Sequence, residues 1–526
     1  MKKIPLLLSF LLLFSCQGNQ KQEETHIPED DYRNYYEIFV SSFCDSNNDG
    51  IGDLKGIDEK LDYLSDIGYT GIWLTPIFSS PSYHKYDTKD YFTIDSDFGS
   101  LDDLKKLIKD AHKRNMKVIL DGVFNHSSET NPWFLNSLLA HRKKLLGQTL
   151  TEEEKDYDSL YTFIDKKEEM IPGRKYCKAG ANDFYYECNF SNDMPEFNFE
   201  SSFTYSKIGS IIDYYMSDEI SADGFRLDAV LYYDYKNTEK NIEVLNYIAD
   251  KIHSHNGYVV GECYSTKDTI EAYYKSKCDS FFYFPSMGND GFLASSLGFN
   301  GGFKNKYLDG LKEMIQVSSD HIPAPFLDNH DTPRFPRAKN KRQNKFLLGL
   351  RDMANGCIFN YYGDEIGMTS TNLKSGDYQD ASYRTHYYFD DETHAGECCD
   401  PERALEQENC YSGAKAQLEE EDSILNYEKK ALKLRNTYPS IARGSIHVEE
   451  DDKAINADTD DNLLLCFDKT YQDETIKMIF NFSDEYSYSY DRKGKKVLSV
   501  LRVDEKKEEM EGDILTLPPY SIALLQ

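Results

Sequence analysis

Short apolar runs alternate with amphipathic stretches along most of the chain. Runs at Tyr35–Val40, Gly71–Pro76, Lys117–Val123, Gly224–Asp228, Gly257–Cys263, Ser280–Phe284, Pro325–Asp328 and Cys357–Tyr362 read as buried β-strands. Helical patterns lie between most of them. Over Leu101–Arg114, for example, Leu104, Leu107, Ile108 and Ala111 fall on one face. Eight such strand–helix units predict an α/β fold, a (β/α)8 TIM barrel occupying 34–126 and 201–442.

The gap between the third and fourth strands is too long for one helix. It is rich in Tyr, Asn and charge, and predicts an inserted domain over 127–200. The region 376–417 is irregular and is expected to shape the same end of the barrel. A last barrel helix at Glu428–Arg435 is stopped by Pro439. After about residue 443 the pattern changes to short alternating strands, at Leu463–Phe467, Ile476–Phe482, Lys496–Leu501, Ile514–Leu517 and Ser521–Leu525. They predict a C-terminal antiparallel β domain over 443–526.

The first residues do not belong to this pattern. Met1-Lys2-Lys3 precedes an apolar stretch, Ile4–Phe14, that is too short to span a bilayer. Leu13-Phe14-Ser15-Cys16 resembles a bacterial lipobox. The expectation is a signal peptide over 1–16 ending at a lipidated Cys16, a polar tether over 17–33, and an exported protein held to a bacterial membrane by its lipid. A plain signal peptide with an incidental Cys16 is the alternative. Ten cysteines remain. Cys177 and Cys188 flank one loop and are a plausible disulfide in an exported protein, with Cys398, Cys399 and Cys410 as further candidates. Cys44, Cys263 and Cys357 sit in apolar strands and read as buried thiols. No C-x-x-C pair is present, so no zinc site is expected. The net charge of −31 argues against a nucleic acid partner but leaves a neutral substrate open.

Four of the apolar runs end on chemistry. Asp121 leads into Asn125-His126, Arg226 and Asp228 close one strand, Glu262 closes another, and Asn329-His330-Asp331 closes a fourth. Acids, an Arg and His residues at the carboxyl ends of several strands are what a barrel active site needs. Cleaving an acetal takes a carboxylate on one side of the sugar, a proton donor on the other, and charge to hold a cationic transition state. Asp228, Glu262 and Asp331 supply three carboxyls. Arg226, two residues before Asp228, falls on the same strand face and would favour a charged Asp228. Glu262 follows Gly261 on an apolar strand, where burial and a neighbouring anion favour the protonated form that a general acid requires.

These segments resemble glycoside hydrolase family 13, the α-amylase superfamily, from about Tyr35 to the C-terminus. The family's D-x-V-x-N-H is similar to Asp121-Gly122-Val123-Phe124-Asn125-His126, and its G-F-R-x-D-A to Gly224-Phe225-Arg226-Leu227-Asp228-Ala229. Gly261-Glu262, Asn329-His330-Asp331, Gly71–Pro76, Tyr361–Gly367 and Met194-Pro195-Glu196-Phe197-Asn198 resemble its other motifs in the right order. The resemblance implies Asp228 as nucleophile, Glu262 as acid/base and Asp331 as the holder of the sugar 2- and 3-hydroxyls. It also implies Arg226 orienting Asp228, His126 and His330 binding hydroxyls, and Tyr86 stacking on the sugar. The implied activity is retaining hydrolysis of α-1,4-glucosidic bonds in starch-derived glucans or maltodextrins. A neopullulanase-like or α-glucosidase/oligo-1,6-glucosidase-like specificity is one alternative, and a non-catalytic glucan-binding lipoprotein another.

Asp45-Ser46-Asn47-Asn48-Asp49-Gly50-Ile51-Gly52-Asp53 has oxygen ligands at the spacing of half an EF-hand, with Gly56 where a full loop has Glu. It resembles a calcium loop after the first barrel strand in the oligo-1,6-glucosidase-like branch. The expected ligands are Asp45, Asn47, Asp49, the Ile51 carbonyl and Asp53. Three departures bear on specificity. Leu231 and Tyr232 stand where typical α-amylases have Lys and His, which argues against that branch's usual calcium site. Tyr83-His84-Lys85-Tyr86 replaces the D-M-G-Y of exo-acting oligo-1,6-glucosidases. Ala229 stands where α-1,6-specific relatives have Val.

Overall fold

The computed structural model describes residues 31–297, 303–334, 340–370, 379–402, 404, 411–449, 453–456 and 462–526. The targeting segment, Cys16 and Cys410 lie outside the described residues. Eight strands form the central sheet: β1 (Asn34–Ile38), β2 (Gly71–Leu74), β3 (Lys117–Gly122), β4 (Gly224–Leu227), β5 (Tyr258–Gly261), β6 (Ser280–Phe282), β7 (Ile322–Ala324) and β8 (Ile358–Tyr361). Each pairs in parallel with its sequence neighbour from β1 to β7, and β8 returns to pair with β1. The fold is the predicted (β/α)8 barrel.

The seventh strand lies earlier than the Pro325–Asp328 expected from the apolar run. The strand ends at Ala324, directly before Pro325. In a parallel ladder a residue facing its neighbour must both donate and accept, and proline has no N–H to donate. Pro323 and Pro325 therefore only accept, from Cys357 N–H (2.9 Å) and Phe359 N–H (3.2 Å). Phe326 pairs with Phe359 as a single bridge that joins β7 to β8, and its own N–H turns to Ser286 Oγ at 3.1 Å. Barrel closure thus comes just before the catalytic-looking Asp328-Asn329-His330-Asp331 segment.

The strands are buried along their length, because helices cover the outside and side chains fill the inside. Tyr35 stacks between Tyr258 (5.5 Å) and Phe359 (4.9 Å), and Trp73 packs on Phe282 at 5.4 Å. Removing a ring as large as Trp73 from such a core costs about 3–5 kcal/mol. Gly224 opens β4 at φ +149°, where a Cβ would meet the Tyr258 carbonyl oxygen at 1.9 Å, so the strand carrying Arg226 can approach β5 only with glycine there. The helix at Leu101–His112 buries the four residues its periodicity singled out and is capped by Ser100 and Asp103.

Between β3 and the helix at Ser202–Tyr215 the chain forms helices at Pro132–Leu145 and Glu152–Leu160 and a small antiparallel sheet of Phe163–Ile164, Tyr176–Lys178 and Tyr185–Glu187. Cys177 and Cys188 are joined in a disulfide at its edge. Arg174 ties this insert to the barrel, with Glu187 of the insert at 3.0 Å on one side and Asp234 of the β4 loop on the other. Cys44, Cys263 and Cys357 are buried thiols, and among the described residues Cys398 and Cys399 have no disulfide partner. After the helix Ile424–Thr437, strands β9 (Ser445–His447), β10 (Leu464–Tyr471), β11 (Glu474–Asn481), β12 (Val497–Leu501) and β13 (Ser521–Leu525) form an antiparallel sheet ordered β9-β10-β11-β13-β12. Phe480, Phe482 and Ile522 of this sheet join the barrel's hydrophobic core, so the two parts pack as one body. Among the described residues no helix is long and apolar enough to cross a membrane.

Candidate active site

The strand ends converge on one guanidinium. Arg226 points inward from β4, fully buried, with its Cζ 5.1 Å from the Trp73 ring centroid. Its Nη1 donates to Asp121 Oδ1 of β3 (2.8 Å) and to Asp228 Oδ1 just past β4 (2.7 Å), and its Nη2 lies 2.9 Å from Glu262 Oε2 just past β5. Glu262 Oε2 also accepts the Ala229 N–H at 3.0 Å. Ala229 adopts φ +51°, the left-handed turn that aims this N–H back at the acid.

One guanidinium faces three carboxyls here, and burial favours the protonated form of two of them, Glu262 and Asp121. Burial, with the neighbouring Asp228 and Asp331 charges, pushes Glu262 up to about 7 against the pull of Arg226. Burial likewise pushes Asp121 up to about 6, with Arg226 opposing and Asp228 adding to the rise.

A second charge cluster faces the first. Asp331 follows β7, with Oδ2 3.1 Å from His330 Nε2 and Oδ1 2.8 Å from Arg384 Nη2. Burial would raise its pKa, but these two cations hold the carboxyl far below its ordinary range. His330 is wholly buried, and its Nδ1 sits 2.5 Å from Glu37 of β1. Burial disfavours charge on the ring, yet the Asp331 and Glu37 carboxylates push its pKa up to about 10. Both ring nitrogens are thus taken by protein groups. Tyr86 lies parallel to His330 at 5.4 Å, its hydroxyl donating to Asp121 Oδ2 (3.1 Å) and contacting His330 Nε2 (2.7 Å). Burial lowers the His126 pKa, and its Nε2 is 3.1 Å from the Tyr86 carbonyl oxygen.

Asp228, Glu262, Asp331, Tyr86 and His126 all border one cavity of about 470 Å³ at the carboxyl end of the barrel, while Arg226 and His330 support it from beneath. Arg384, which also lines it, was not foreseen. It lies in the irregular stretch after β8, binds Asp380 at 2.7 Å and the Tyr83 hydroxyl at 3.0 Å, and no periodicity marks it. Glu37 was readable in principle, as a lone acid within the apolar strand Asn34–Ile38.

The five expected metal ligands sit elsewhere, in the loop after β1. Asp45 accepts N–H groups of Asn47 (2.9 Å), Asn48 (2.6 Å) and Gly50 (2.6 Å), Asn47 Oδ1 accepts from Asp49, and Asp49 Oδ1 accepts from Ile51. Asp53 accepts from Ser46 and caps the helix Leu54–Glu59 through the Gly56 N–H. Among the described residues no three His, Cys, Asp or Glu side chains converge on one point as a metal cluster. The donor chemistry still fits a hard cation. Three carboxylates, an amide oxygen and the Ile51 carbonyl lie within nine successive residues of one loop, and each carboxylate has lone pairs beyond those given to N–H groups. Asp45 N–H to Gly396 O (3.0 Å) and Cys399 N–H to Gly50 O (2.7 Å) bind the loop to the segment after β8.

Residues 37–444 match the profile of the α-amylase catalytic domain. Alpha-amylase 3 of Dictyoglomus thermophilum is 29% identical over 520 residues, covering 94% of this chain and 93% of that protein. An oligo-1,6-glucosidase of Bacillus cereus is 27% identical, covering 86% and 90%. The solved structure of Eubacterium rectale Amy13B superposes with a TM-score of 0.85 at 33% identity, covering 96% and 97%. With the barrel, the order of its motifs and this similarity along nearly its whole length, the chain belongs to the α-amylase family, glycoside hydrolase family 13.

Proposed function

We propose that the protein is a retaining hydrolase of α-amylase type, cleaving α-1,4-glucosidic bonds in starch-derived glucans or maltodextrins. One observation carries the reading. A single guanidinium, Arg226, holds two carboxyls, Asp228 at 2.7 Å and Glu262 at 2.9 Å, on the wall of one sugar-sized cavity, and burial pushes the Glu262 carboxyl up. In the first step Asp228 attacks the anomeric carbon while Glu262 protonates the glycosidic oxygen. Arg226 and Ala229 both occupy Glu262 Oε2, which leaves Oε1 to carry the proton. Asp331, kept ionised by His330 and Arg384, takes the 2- and 3-hydroxyls and offsets the positive charge on the ring. His330 acts through Asp331, and His126 and Tyr86 line the sugar's other side. In the second step Glu262 takes a proton from water, and the ester at Asp228 opens with net retention.

The test is digestion of maltoheptaose, pullulan and isomaltose, with the first-formed anomer read by NMR. Shorter maltooligosaccharides appearing first as the α-anomer are expected. A β-anomer first would remove the double displacement, cleavage of isomaltose alone would move the bond to α-1,6, and binding without products would leave a glucan-binding protein.

Calcium at Asp45, Asn47, Asp49, the Ile51 carbonyl and Asp53 is part of the same proposal, with a structural role. A cation that binds only the folded chain stabilises it by about 2.7 kcal/mol at a hundredfold excess over its Kd. Chelation should therefore lower the Tm by about 2–3 °C, and added calcium should restore it. A Tm indifferent to both would remove the ion. A lipid on Cys16 would hold the cavity at a membrane surface.

A further inference from the structure

One buried acid inside the barrel takes no part in the two displacement steps. Glu37 of β1 is 1% exposed. Strand side chains alternate, so it shares a face with Tyr35, whose ring stacks on Tyr258 of β5 across the barrel. Its neighbours in the sheet are Trp73 of β2 and Tyr361 of β8. A carboxylate among such rings is unfavourable unless a charged group meets it. His330 meets it. Glu37 Oε1 lies 2.5 Å from His330 Nδ1 and also accepts the His330 main-chain N–H at 3.3 Å.

Counting protons fixes the state of the ring. The other nitrogen, Nε2, faces Asp331 Oδ2 at 3.1 Å and the Tyr86 hydroxyl at 2.7 Å. That hydroxyl gives its one proton to Asp121 Oδ2, so toward Nε2 it accepts. A neutral imidazole has a single N–H, and would turn a lone pair on one of the two carboxylates. Only the doubly protonated ring donates to both. Phe39 and Trp73 lie against the ring, with centroids at 6.3 and 5.7 Å. Two guanidiniums stand nearby. Arg384 Nε donates to the His330 carbonyl at 2.8 Å, and Arg226 Cζ is 5.8 Å from the Tyr86 ring. Burial and these cations disfavour charge on His330, yet the Asp331 and Glu37 carboxylates prevail and hold its pKa near about 10.

We infer that Glu37 is a positioning residue of the proposed hydrolysis, holding His330 as a two-donor cation that orients Asp331 for the sugar hydroxyls. This rests on the hydrolase reading above, in which Asp331 takes those hydroxyls. Arg384 grips Asp331 Oδ1 and His330 grips Oδ2. Without the charge of Glu37, His330 gives up its second proton as the pH rises. Its Nε2 lone pair then faces Asp331 Oδ2 and repels it. Glu37 touches no sugar, but extends the alkaline range over which Asp331 is held in place.

The test removes the charge and keeps the hydrogen bond. Glu262→Gln is the background, because it takes away the titration of the acid. Loading of a maltosyl group onto Asp228 from α-maltosyl fluoride is followed by mass in a single turnover. With Glu37 in place the rate should stay level from about pH 7 to about pH 9. Glu37→Gln still accepts from Nδ1 through its amide oxygen. Its rate should lie within about twofold of the parent at about pH 6, and fall at least about tenfold below it by about pH 9, through one ionisation. A ratio of the two rates that is constant with pH overturns the role of Glu37, because a merely structural loss does not titrate. A second measurement needs no Glu37 variant. In protein with 15N-labelled histidines, the His330 ring, assigned by its absence from the His330→Asn spectrum, should keep both nitrogens protonated at about pH 8.5. A neutral ring there overturns the inference. Wild-type protein inert toward both maltoheptaose and the fluoride overturns the hydrolase reading itself, and the role of Glu37 with it.

Discussion

Asp228→Ala will lower kcat on maltoheptaose by at least about 10⁴-fold, the scale on which covalent catalysis fails when its nucleophile is removed. The fold should survive. Asp228 gives Arg226 one of three carboxyl partners, and Asp121 and Glu262 remain at 2.8 and 2.9 Å to satisfy the guanidinium. The side chain borders the cavity, so its removal opens space toward solvent rather than a sealed void. A small anion can enter that space. With α-maltosyl fluoride and azide, the variant should form β-maltosyl azide, because azide attacks from the face Asp228 has vacated. Asp228→Asn keeps the shape but has no carboxylate for the ester, and should be as inactive while admitting no azide. An Asp228→Ala variant with more than a hundredth of wild-type kcat, or an azide product of α configuration, would move the nucleophile to another residue.

Much of this site was legible because β-strands carry information with a period of two. Arg226 and Asp228 read as neighbours on one face, and their guanidinium and carboxylate meet at 2.7 Å. Glu262 could be read as an acid-form carboxyl from the apolar run that precedes it, and burial does push it to about 7. What strand patterning could not carry lies in loops. Arg384 stands 53 positions after Asp331 in an irregular stretch, and only tertiary packing brings its guanidinium to that carboxylate. The apolar run Pro325–Asp328 lies past the seventh strand because Pro325 reads as apolar but cannot donate to a ladder. In the insert, Asn131 before Pro132 and the Thr151–Glu154 capping box mark two helix starts that composition alone obscured.

Glu262→Gln will reduce kcat/KM on maltoheptaose by about 10²–10⁴-fold, the usual contribution of a positioned proton donor. The loss will depend on the leaving group and on pH. In the wild type the acid carries its proton up to about pH 7, so turnover of maltoheptaose should fall through that pH on the alkaline side. Fluoride needs little protonation to depart. α-Maltosyl fluoride should therefore still glycosylate Asp228 in Glu262→Gln, the carboxylate oxygen bonding to the anomeric carbon as fluoride leaves, and without a base to activate water the maltosyl-enzyme should accumulate, visible as a mass increase of one maltosyl group. The same residue leaves a mark on stability. Its folded pKa is raised, whereas an unfolded Glu releases its proton near about 4.3. Between these values the unfolded chain binds fewer protons than the folded one, so stability falls as pH rises from about 4 to about 7. Glu262→Gln removes that penalty, and its Tm should gain on the wild type as the pH is taken from 4 to 8. A Tm difference that runs the other way would mean that Arg226 stabilises an ionised Glu262, and such a carboxylate could not serve as the acid.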